Sequence, residues 1–289
     1  MERQIGVGKI SLIAIALVVV LALLLFRPIS LVFAGKIELS STFNLFGLKG
    51  HYYGLLMFFA LALGYLVART LGKLERVELD KYLFSIFLGF IWALIGARIG
   101  YVIFKLDQYH SFWQMVAIWE GGLSIHGALV ATAIYLFWWT RKFKFNFWQF
   151  ADILTPGIAL GTAIARWGNF FNQEAYGLPT SFPWKMFISP ENRFFKYAME
   201  KFYHPTFLYE SALDFFLFLL LLQIFSRDYQ KGTTALLYVA GYSLIRFFVE
   251  FLRIDSEKWA MLSIAQWVSL GLIILVVVIF VRRRAYGQQ

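Results

Sequence analysis

Polar clusters interrupt the apolar sequence, and their side chains could bind an anion or move a proton. The first is the glycine-rich stretch 119–127, which places His126 at the start of an apolar run. The second is the polar stretch 166–177, and the third has residues spaced by four, four and three positions. That spacing predicts one face of a helix. The members of the third cluster are Tyr242, Arg246, Glu250 and Arg253.

Arginines in these clusters point to a phosphate site inside a membrane. Ionisable groups in a membrane span are costly and usually face a bundle interior or a wet cavity. Guanidinium groups at one level of the membrane repel each other unless an anion lies between them, and their paired donors match phosphate. The pattern therefore predicts a site for a phospholipid head group. There the arginines would stabilise a leaving phosphate and a histidine would remove a proton.

Each candidate residue taken alone is also consistent with a structural role, and only the convergence of several arginines favours a site. The structural alternatives are a helix end for His126, a self-neutralising i,i+4 pair for Arg246 and Glu250, a membrane-interface anchor for Arg98 and Arg166, and helix capping for Asn169 and Asn172.

The composition identifies lipid as the surroundings of these clusters. The 289 residues are 60% hydrophobic and 15% charged, with a mean hydropathy of +0.65, whereas soluble chains are about 45–50% apolar. The 32 Phe, 15 Tyr and 10 Trp exclude intrinsic disorder. The net charge of +10 is spread over short loops, which indicates contact with anionic lipid rather than nucleic acid. The absence of Cys excludes disulfides, thiolate metal sites and a cysteine nucleophile; no cofactor or metal is expected.

Eight apolar stretches are candidates for membrane-spanning helices, so the predicted fold is all-α and polytopic. Basic residues are denser in the loops on one side. This bias places both termini in the cytoplasm and the long segment 166–207, between spans 5 and 6, outside. The predicted spans are 10–26, 52–68, 83–104, 125–139, 150–164, 208–225, 235–252 and 264–281.

The first apolar run has a rival interpretation as a cleaved signal peptide. A basic start and the small-residue site at 32–34 support cleavage, but the run is long and Arg27-Pro28 interrupts it. We therefore expect residues 1–44 to form an additional transmembrane helix with an outer linker, and 45–289 to form the main membrane domain. The sequence contains no internal repeat, so it does not support a transporter built from inverted repeats.

The second cluster resembles the signature of the bacterial phosphatidylglycerol–prolipoprotein diacylglyceryl transferases, Gly-Arg-x-Gly-Asn-Phe-x-Asn-x-Glu-x-x-Gly. It matches at Arg166, Gly168, Asn169, Phe170, Asn172, Glu174 and Gly177. Further matches are 51–55, 96–101, 121–127, 204–210 and the third cluster, and the resemblance covers about residues 51–284.

The resemblance implies that the diacylglyceryl group of phosphatidylglycerol moves to the lipobox cysteine of a prolipoprotein signal peptide, releasing glycerol 1-phosphate. A substrate thiol as nucleophile suits a chain without Cys. The family has seven spans, so the first helix is extra, and the active site would face the outer leaflet of the bacterial plasma (inner) membrane.

The implied catalytic residues are His126, as base towards the thiol, with Arg166 and Arg246 on the phosphate. Glu250 and Tyr242 would orient Arg246. The implied substrate-binding residues are Arg166, Tyr53, Arg98, Asn169, Asn172, Glu174, Gly177, Tyr242 and Glu250. The alternatives are a transporter or flippase for an anionic lipid or metabolite, an intramembrane hydrolase using Ser124 and His126, and an inactive family member.

Overall fold

The computed structural model describes residues 2–118, 121–122, 124–227, 229–256 and 258–286. Each predicted span falls on a helix, although the span 235–252 runs three residues past the end of its helix at Val249. The all-α fold is confirmed. The helices are α1 (Glu2–Phe33), α2 (Tyr52–Leu74), α3 (Leu83–Phe104), α4 (Phe112–Val116), α5 (Ile125–Lys142), α6 (Phe147–Asn172), α7 (Thr206–Ser226), α8 (Thr233–Val249) and α9 (Ile264–Tyr286). Short antiparallel pairs that the sequence did not predict are β1–β2 (Thr42–Leu45, Leu48–His51), β3–β4 (Met186–Phe187, Phe202–Tyr203) and β5–β6 (Lys258–Trp259, Leu262–Ser263).

Five of the described helices, namely α1, α2, α3, α7 and α9, are long and apolar enough to cross a membrane. Their large apolar side chains are widely exposed on the protein surface; Leu23 and Phe26 of α1, for example, are 76% and 74% exposed. Such surface is expected to face lipid. The chain is a multi-pass membrane protein. The crossings predicted on α5, α6 and α8 stay predictions.

The described chain separates into two compact units, and the larger comprises Met1–Leu74 and Asp152–Gln289. Within this unit, α7 packs on α8 and α8 on α9. Helices α2 and α6 meet at glycines: a Cβ on Gly64 would lie 2.7 Å from the Gly157 carbonyl oxygen. Small residues allow the backbones of membrane helices to approach this closely.

Helix α6 is longer than the sequence predicted. We expected a span ending at 164 and an outer segment beginning at Arg166, but the helix continues to Asn172. Arg166 therefore lies within the helix rather than beyond it. The connection from α6 to α7 then folds around the β3–β4 pair, over a core of buried aromatic and aliphatic side chains. The core residues are Phe170, Tyr176, Met186, Ile188, Tyr203 and Phe207.

The N-terminal helix α1 packs on the larger unit at both of its ends. Near its start, the Arg3 guanidinium lies 4.4 Å from the centre of the Phe225 ring. Near its end, the Phe33 ring lies 6.0 Å from that of Phe170 and 6.3 Å from that of Phe207. These contacts place α1 within the larger unit. The predicted division into 1–44 and 45–289 stays a prediction.

The smaller unit, Glu75–Ala151, is built on a close crossing of α3 and α5. A Cβ on Gly96 would lie 2.6 Å from the Gly127 carbonyl oxygen and would also clash with the Ala131 methyl, so position 96 has no room for a side chain. Ser124 caps α5 by accepting a hydrogen bond from the Gly127 amide at 3.4 Å. At the other end of α5, the Trp139 ring packs between aromatic neighbours, which fixes the end of the helix.

Candidate active site

A buried carboxylate, that of Glu210, lies at the centre of the candidate site. The residue is 2% exposed and sits on the first turns of α7. The neighbouring residue Ser211 donates a hydrogen bond to the Ala163 carbonyl at 2.8 Å and accepts one from the Trp167 indole at 3.1 Å. These bonds hold α7 against α6, so Glu210 is brought opposite Arg166.

Arginine side chains reach Glu210 from three places in the chain. Arg166 Nε, on α6, lies 2.5 Å from Oε2. Arg246 Nη1, on α8, donates to Oε1 at 3.0 Å, and Arg253 Nη1, after α8, lies 3.7 Å from the same oxygen. Tyr242, for which the resemblance implied a contact with Arg246, instead accepts a hydrogen bond from Arg166 Nη2 at 3.2 Å. The arginines thus converge as predicted, and the anion between them is a glutamate of the chain.

Two further carboxylates complete the pairing of these arginines. Arg246 Nη2 lies 2.7 Å from Glu250 Oε2, which is the i,i+4 pair predicted from the spacing. Arg253 donates to both oxygens of Asp255, at 2.9 and 2.6 Å. With Glu210, three guanidinium groups therefore face three carboxylates. Pairing of this kind offsets the cost of burying charges away from water.

The prediction that Arg253 lies on the same helical face as Tyr242, Arg246 and Glu250 was wrong. Helix α8 ends at Val249, and the carbonyl of Leu252 accepts a hydrogen bond from the Leu178 amide at 2.8 Å, which draws the chain away from helical geometry. Asp255 lies outside the helix as well. Burial alone would raise the pKa of its carboxyl, but the hydrogen bonds and charge of Arg253 outweigh this and lower that pKa. The ion pair is therefore retained at neutral pH.

The residues that follow Arg166 in the signature form a second polar group at the end of α6. The side-chain amides of Asn169 and Asn172 donate to Glu174 Oε1 at 2.9 and 3.2 Å. Gln173 and Ala175 adopt left-handed backbone conformations, with φ of 50° and 53°, which is uncommon for residues other than glycine. Sharp turns of the chain therefore bring Glu174 back over the asparagines.

Two contacts place Tyr53 and Gly177 beside this group. A Cβ on Gly168 would lie 2.5 Å from the Tyr53 ring, so the glycine allows the ring to rest against the α6 backbone. The Gly177 amide donates to the His204 carbonyl at 2.8 Å, and a Cβ there would lie 2.9 Å from the Leu252 carbonyl oxygen. Gly177 thus allows the signature segment to pack against the turn that carries Arg253.

Arg98 belongs to the smaller unit and has partners of a different kind. Its guanidinium donates to the main-chain carbonyls of Met115 at 2.8 Å, Gln114 at 2.6 Å and Gly122 at 3.0 Å, and to that of Gly121. This arrangement holds the connection between α3 and α5. The predicted contact of Arg98 with substrate stays a prediction.

His126 lies in the first turn of α5, and its side chain lies outside the described residues. Its predicted role as a base stays a prediction. The hydroxyl of Ser124, the nucleophile in the hydrolase alternative, is the N-cap of the same helix.

Comparison with known proteins identifies the family. The family model for prolipoprotein diacylglyceryl transferase matches residues 40–282. The chain belongs to this family. A phosphatidylglycerol–prolipoprotein diacylglyceryl transferase of Thermotoga maritima is 43% identical over 256 residues, covering 87% of each chain. Enzymes of the same name from Synechocystis sp. and Finegoldia magna are 38% and 39% identical, covering 81% and 83% of this chain and 85% and 94% of the relatives. The resemblance drawn from the motifs is confirmed.

Two residues of the candidate site in this member of the diacylglyceryl transferase family were not predicted from the sequence. Glu210 was noted only as the end of the 204–210 motif, and Asp255 was not considered. A signal for Glu210 was present, because an acidic residue near the start of the apolar span 208–225 requires a partner. For Asp255 the only signal is its place two residues after Arg253.

Proposed function

We propose that this protein transfers the diacylglyceryl group of phosphatidylglycerol to the lipobox cysteine thiol of a prolipoprotein. A thioether forms and glycerol 1-phosphate is released. The observation that carries the proposal is the convergence of three arginines on the buried Glu210. The names of the relatives favour this transfer over transport of a lipid.

The lipid phosphate is proposed to bind Arg166 and Arg246. Phosphate and carboxylate oxygens accept the same charge-assisted hydrogen bonds from guanidinium groups. A phosphate at this position therefore shares or replaces the contacts that the Arg166 and Arg246 guanidinium groups make with Glu210 in the structure. When the bond between the glycerol carbon and the phosphate oxygen breaks, charge grows on the phosphate, and donors already held in place stabilise it.

The substrate thiol supplies the nucleophile. Its pKa of about 8.5 leaves it mostly protonated near neutrality, so a base must remove the proton before sulfur attacks. The proposed base is His126, at the start of α5. The S–C bond forms as the C–O bond to phosphate breaks, and the phosphate leaves with the bonding electrons. A His126→Gln variant that keeps most of its transfer activity would remove this role.

The remaining predicted residues are proposed to shape the glycerol–phosphate pocket. Asn169, Asn172 and Glu174 already form one hydrogen-bonded group on the strained turn after α6. Tyr53 rests against the helix that carries Arg166, and Gly177 against the turn that carries Arg253. Rigid neighbours of this kind hold donors at fixed positions, which is the main requirement of electrostatic catalysis.

The enzyme is proposed to lie in the bacterial plasma (inner) membrane, with both termini cytoplasmic and the site towards the outer leaflet. The distribution of basic loops supports this orientation. The phosphatidylglycerol would then enter from the outer leaflet, where a translocated signal peptide also presents its lipobox.

Reconstitution tests the function directly. The purified protein is placed in vesicles that contain phosphatidylglycerol labelled in its diacylglycerol part, together with a lipobox peptide. We expect label on the peptide and stoichiometric glycerol 1-phosphate. Glycerol 1-phosphate without labelled peptide would indicate hydrolysis, and movement of the lipid across the bilayer without either product would indicate a flippase. Each of the last two results overturns the proposal.

Arg166→Lys is expected to lower turnover by roughly 10²–10³-fold, the usual effect of removing one stabilising donor. Lysine keeps the charge but loses the paired donors that face Glu210 and Tyr242. The matched control is Arg227→Lys, an exposed arginine after α7 in the same unit, for which turnover should not change. Near-normal turnover of Arg166→Lys would exclude phosphate binding by its guanidinium.

A further inference from the structure

Two short hairpins outside the candidate site expose large apolar side chains at their tips, residues 45–48 of β1–β2 and 259–261 of β5–β6. Phe46 is 98% exposed and Met261 is 91% exposed. Other connections bury their apolar residues; Val77, between α2 and α3, is 8% exposed. Apolar side chains that are grouped and exposed in this way mark a surface that contacts a protein or a membrane.

The backbone at the tip of β1–β2 is unfavourable for the residue that occupies it. Phe46 and Gly47 have φ of 50° and 82°, the left-handed pair of a type I′ turn. The first of these positions favours Asn, Asp or Gly, and a bulky residue there is strained. Such strain is retained where a side chain has a function. The exposed ring of Phe46 has little contact with the described chain, so its function requires a partner from outside.

Both hairpins lie at the end of the helices that carries the arginine cluster. The strand β2 leads directly into α2, and β6 leads directly into α9; both helices are long and apolar enough to cross a membrane. At the start of α2, the Tyr53 ring rests on Gly168 of the signature segment. At the start of α9, the Gln266 amide donates to the carbonyl of Phe247, next to Arg246, at 3.2 Å. The tips are therefore close to the membrane surface on this side.

Aromatic contacts hold β1–β2 against the helix ends. The Phe43 ring lies 5.1 Å from that of Tyr52, which stacks on Phe171 of α6 at 4.4 Å. A Cβ on Gly50 would lie 2.5 Å from the Phe43 ring, so the glycine allows this ring to lie across the hairpin. A strand of four residues reaches only about 13 Å. A hairpin held in this way can keep its tip at the head-group layer, which is about 5–7 Å thick on each side of the hydrocarbon.

We propose that the two hairpin tips form a lipid-binding surface, in which Phe46, Leu48 and Met261 contact the acyl chains of the leaflet nearest the arginine cluster. Leu48 is 76% exposed and belongs to the same tip as Phe46. An acyl chain removes these side chains from water and gives the strained Phe46 an apolar partner. The inference does not rest on the proposed transfer, because a protein without that activity would insert the same tips.

Charge favours anionic phospholipid as the occupant over a peptide. The strands carry exposed lysines, Lys49 and Lys258, and residues 42–51 and 258–263 contain no acidic residue. Basic residues beside apolar ones are typical of segments that lie in an anionic membrane interface. The ammonium groups bind lipid phosphates while the apolar tips enter the acyl chains.

The absence of Cys from the sequence allows one label to report the depth of each tip. The full-length Leu48→Cys variant, which keeps Phe46, carries a nitroxide in vesicles of phosphatidylglycerol and phosphatidylcholine. A nitroxide among acyl chains collides more often with oxygen than with a water-soluble nickel complex, and one in water does the reverse. We expect oxygen accessibility to exceed nickel accessibility at position 48, and likewise in Met261→Cys.

The matched control is Glu38→Cys, an exposed position in the connection before β1, where nickel accessibility should be the larger. Labelled variants are compared only if they melt at the wild-type temperature, and Leu45→Cys replaces Leu48→Cys if the latter does not fold. Greater nickel accessibility at either tip would overturn the proposal. Shielding from both reagents that begins only when a lipobox peptide is added would assign the tips to peptide and would also overturn it.

The lysines provide a second measurement. Each lysine near an anionic surface is expected to favour the inserted state by about fivefold. The oxygen-to-nickel ratio at position 48 should therefore rise with the fraction of phosphatidylglycerol, and should rise less when Lys49→Gln and Lys258→Gln are combined. Lys144→Gln, at an exposed lysine between α5 and α6, is the control and should leave the rise unchanged. An equal rise in the combined variant would overturn the binding of lipid phosphates by the two hairpin lysines.

Discussion

Two buried arginine sites in this protein differ in the kind of acceptor that surrounds the guanidinium. Arg98, in the smaller unit, donates to four main-chain carbonyls. Arg166, in the larger unit, faces the carboxylate of Glu210 and the hydroxyl of Tyr242. Both are rare charges among apolar helices, and the sequence marked both as candidates for substrate binding.

This difference indicates that Arg98 has a structural role, whereas Arg166 can exchange its carboxylate partner for a ligand. Carbonyls are neutral and belong to a chain whose path depends on these hydrogen bonds, so a ligand cannot replace them without unfolding the connection between α3 and α5. A carboxylate carries the same charge as a phosphodiester and can share its donors with one. Arg166 is therefore suited to bind a lipid phosphate, whereas Arg98 is suited to hold the backbone.

The largest expected effect follows from removing the carboxylate at the centre of the cluster. Glu210→Gln leaves Arg166 and Arg246 without their shared anion, and breaking a buried ion pair in this way costs about 3–5 kcal/mol. We expect a large drop in the free energy of unfolding, measured in detergent by thermal or denaturant titration. Inorganic phosphate should restore part of it by occupying the same donors.

The control for this prediction is the wild-type protein at the same phosphate concentration. Its melting temperature should rise less than that of Glu210→Gln, because Glu210 already neutralises the arginines. Equal stabilisation of both proteins would mean that phosphate binds elsewhere, and the distinction between exchangeable and fixed arginine partners would lose its support.

Most of the helices could be predicted from the sequence, because long apolar runs between basic loops leave few alternatives. The predicted span 83–104 coincides with α3. Helix ends were predicted less well where polar residues serve the site. The end at 164 was placed before Arg166 because hydropathy falls there, but α6 continues to Asn172 with its polar side chains in the cluster. A hydropathy profile cannot distinguish a helix end from a helix whose polar face is buried.

The candidate site was predicted in part. Rarity of charge within spans selected Arg246 and Glu250, and the polar cluster at the predicted end of the fifth span selected Arg166. These residues do come together. The anion between the arginines was predicted to be a ligand, and the structure places Glu210 there. Arg253 was assigned to the correct cluster through an incorrect geometry, because the hydrogen bond between Leu178 and Leu252 that ends the helical path comes from a distant segment. Such tertiary contacts leave no local pattern in the sequence.

A smaller effect is expected at the other arginine. Arg98→Lys keeps the charge but cannot donate to four carbonyls at once. These carbonyls are only partly buried and can turn to water, so the loss should stay near the net value of one hydrogen bond, about 0.5–1.5 kcal/mol. We expect faster hydrogen exchange or proteolysis in residues 105–118, which lie in the connection between α3 and α5. The concentration of phosphatidylglycerol at half-maximal rate should not change. A selective rise in that concentration, with exchange unaltered, would instead support the predicted role of Arg98 in substrate binding.

The smallest expected effect concerns His204, which lies outside the helices, beside the signature segment. Its imidazole Nδ1 lies 3.0 Å from the Tyr209 hydroxyl, and partial burial lowers its pKa below the usual value of about 6.5. Because the unfolded chain takes up this proton first as the pH falls, stability is fully present above pH 6.5 and declines below it. We expect the decline in melting temperature between pH 7.5 and pH 5.5 to be smaller in His204→Gln. An equal decline in both proteins would show that the acid sensitivity does not arise from His204.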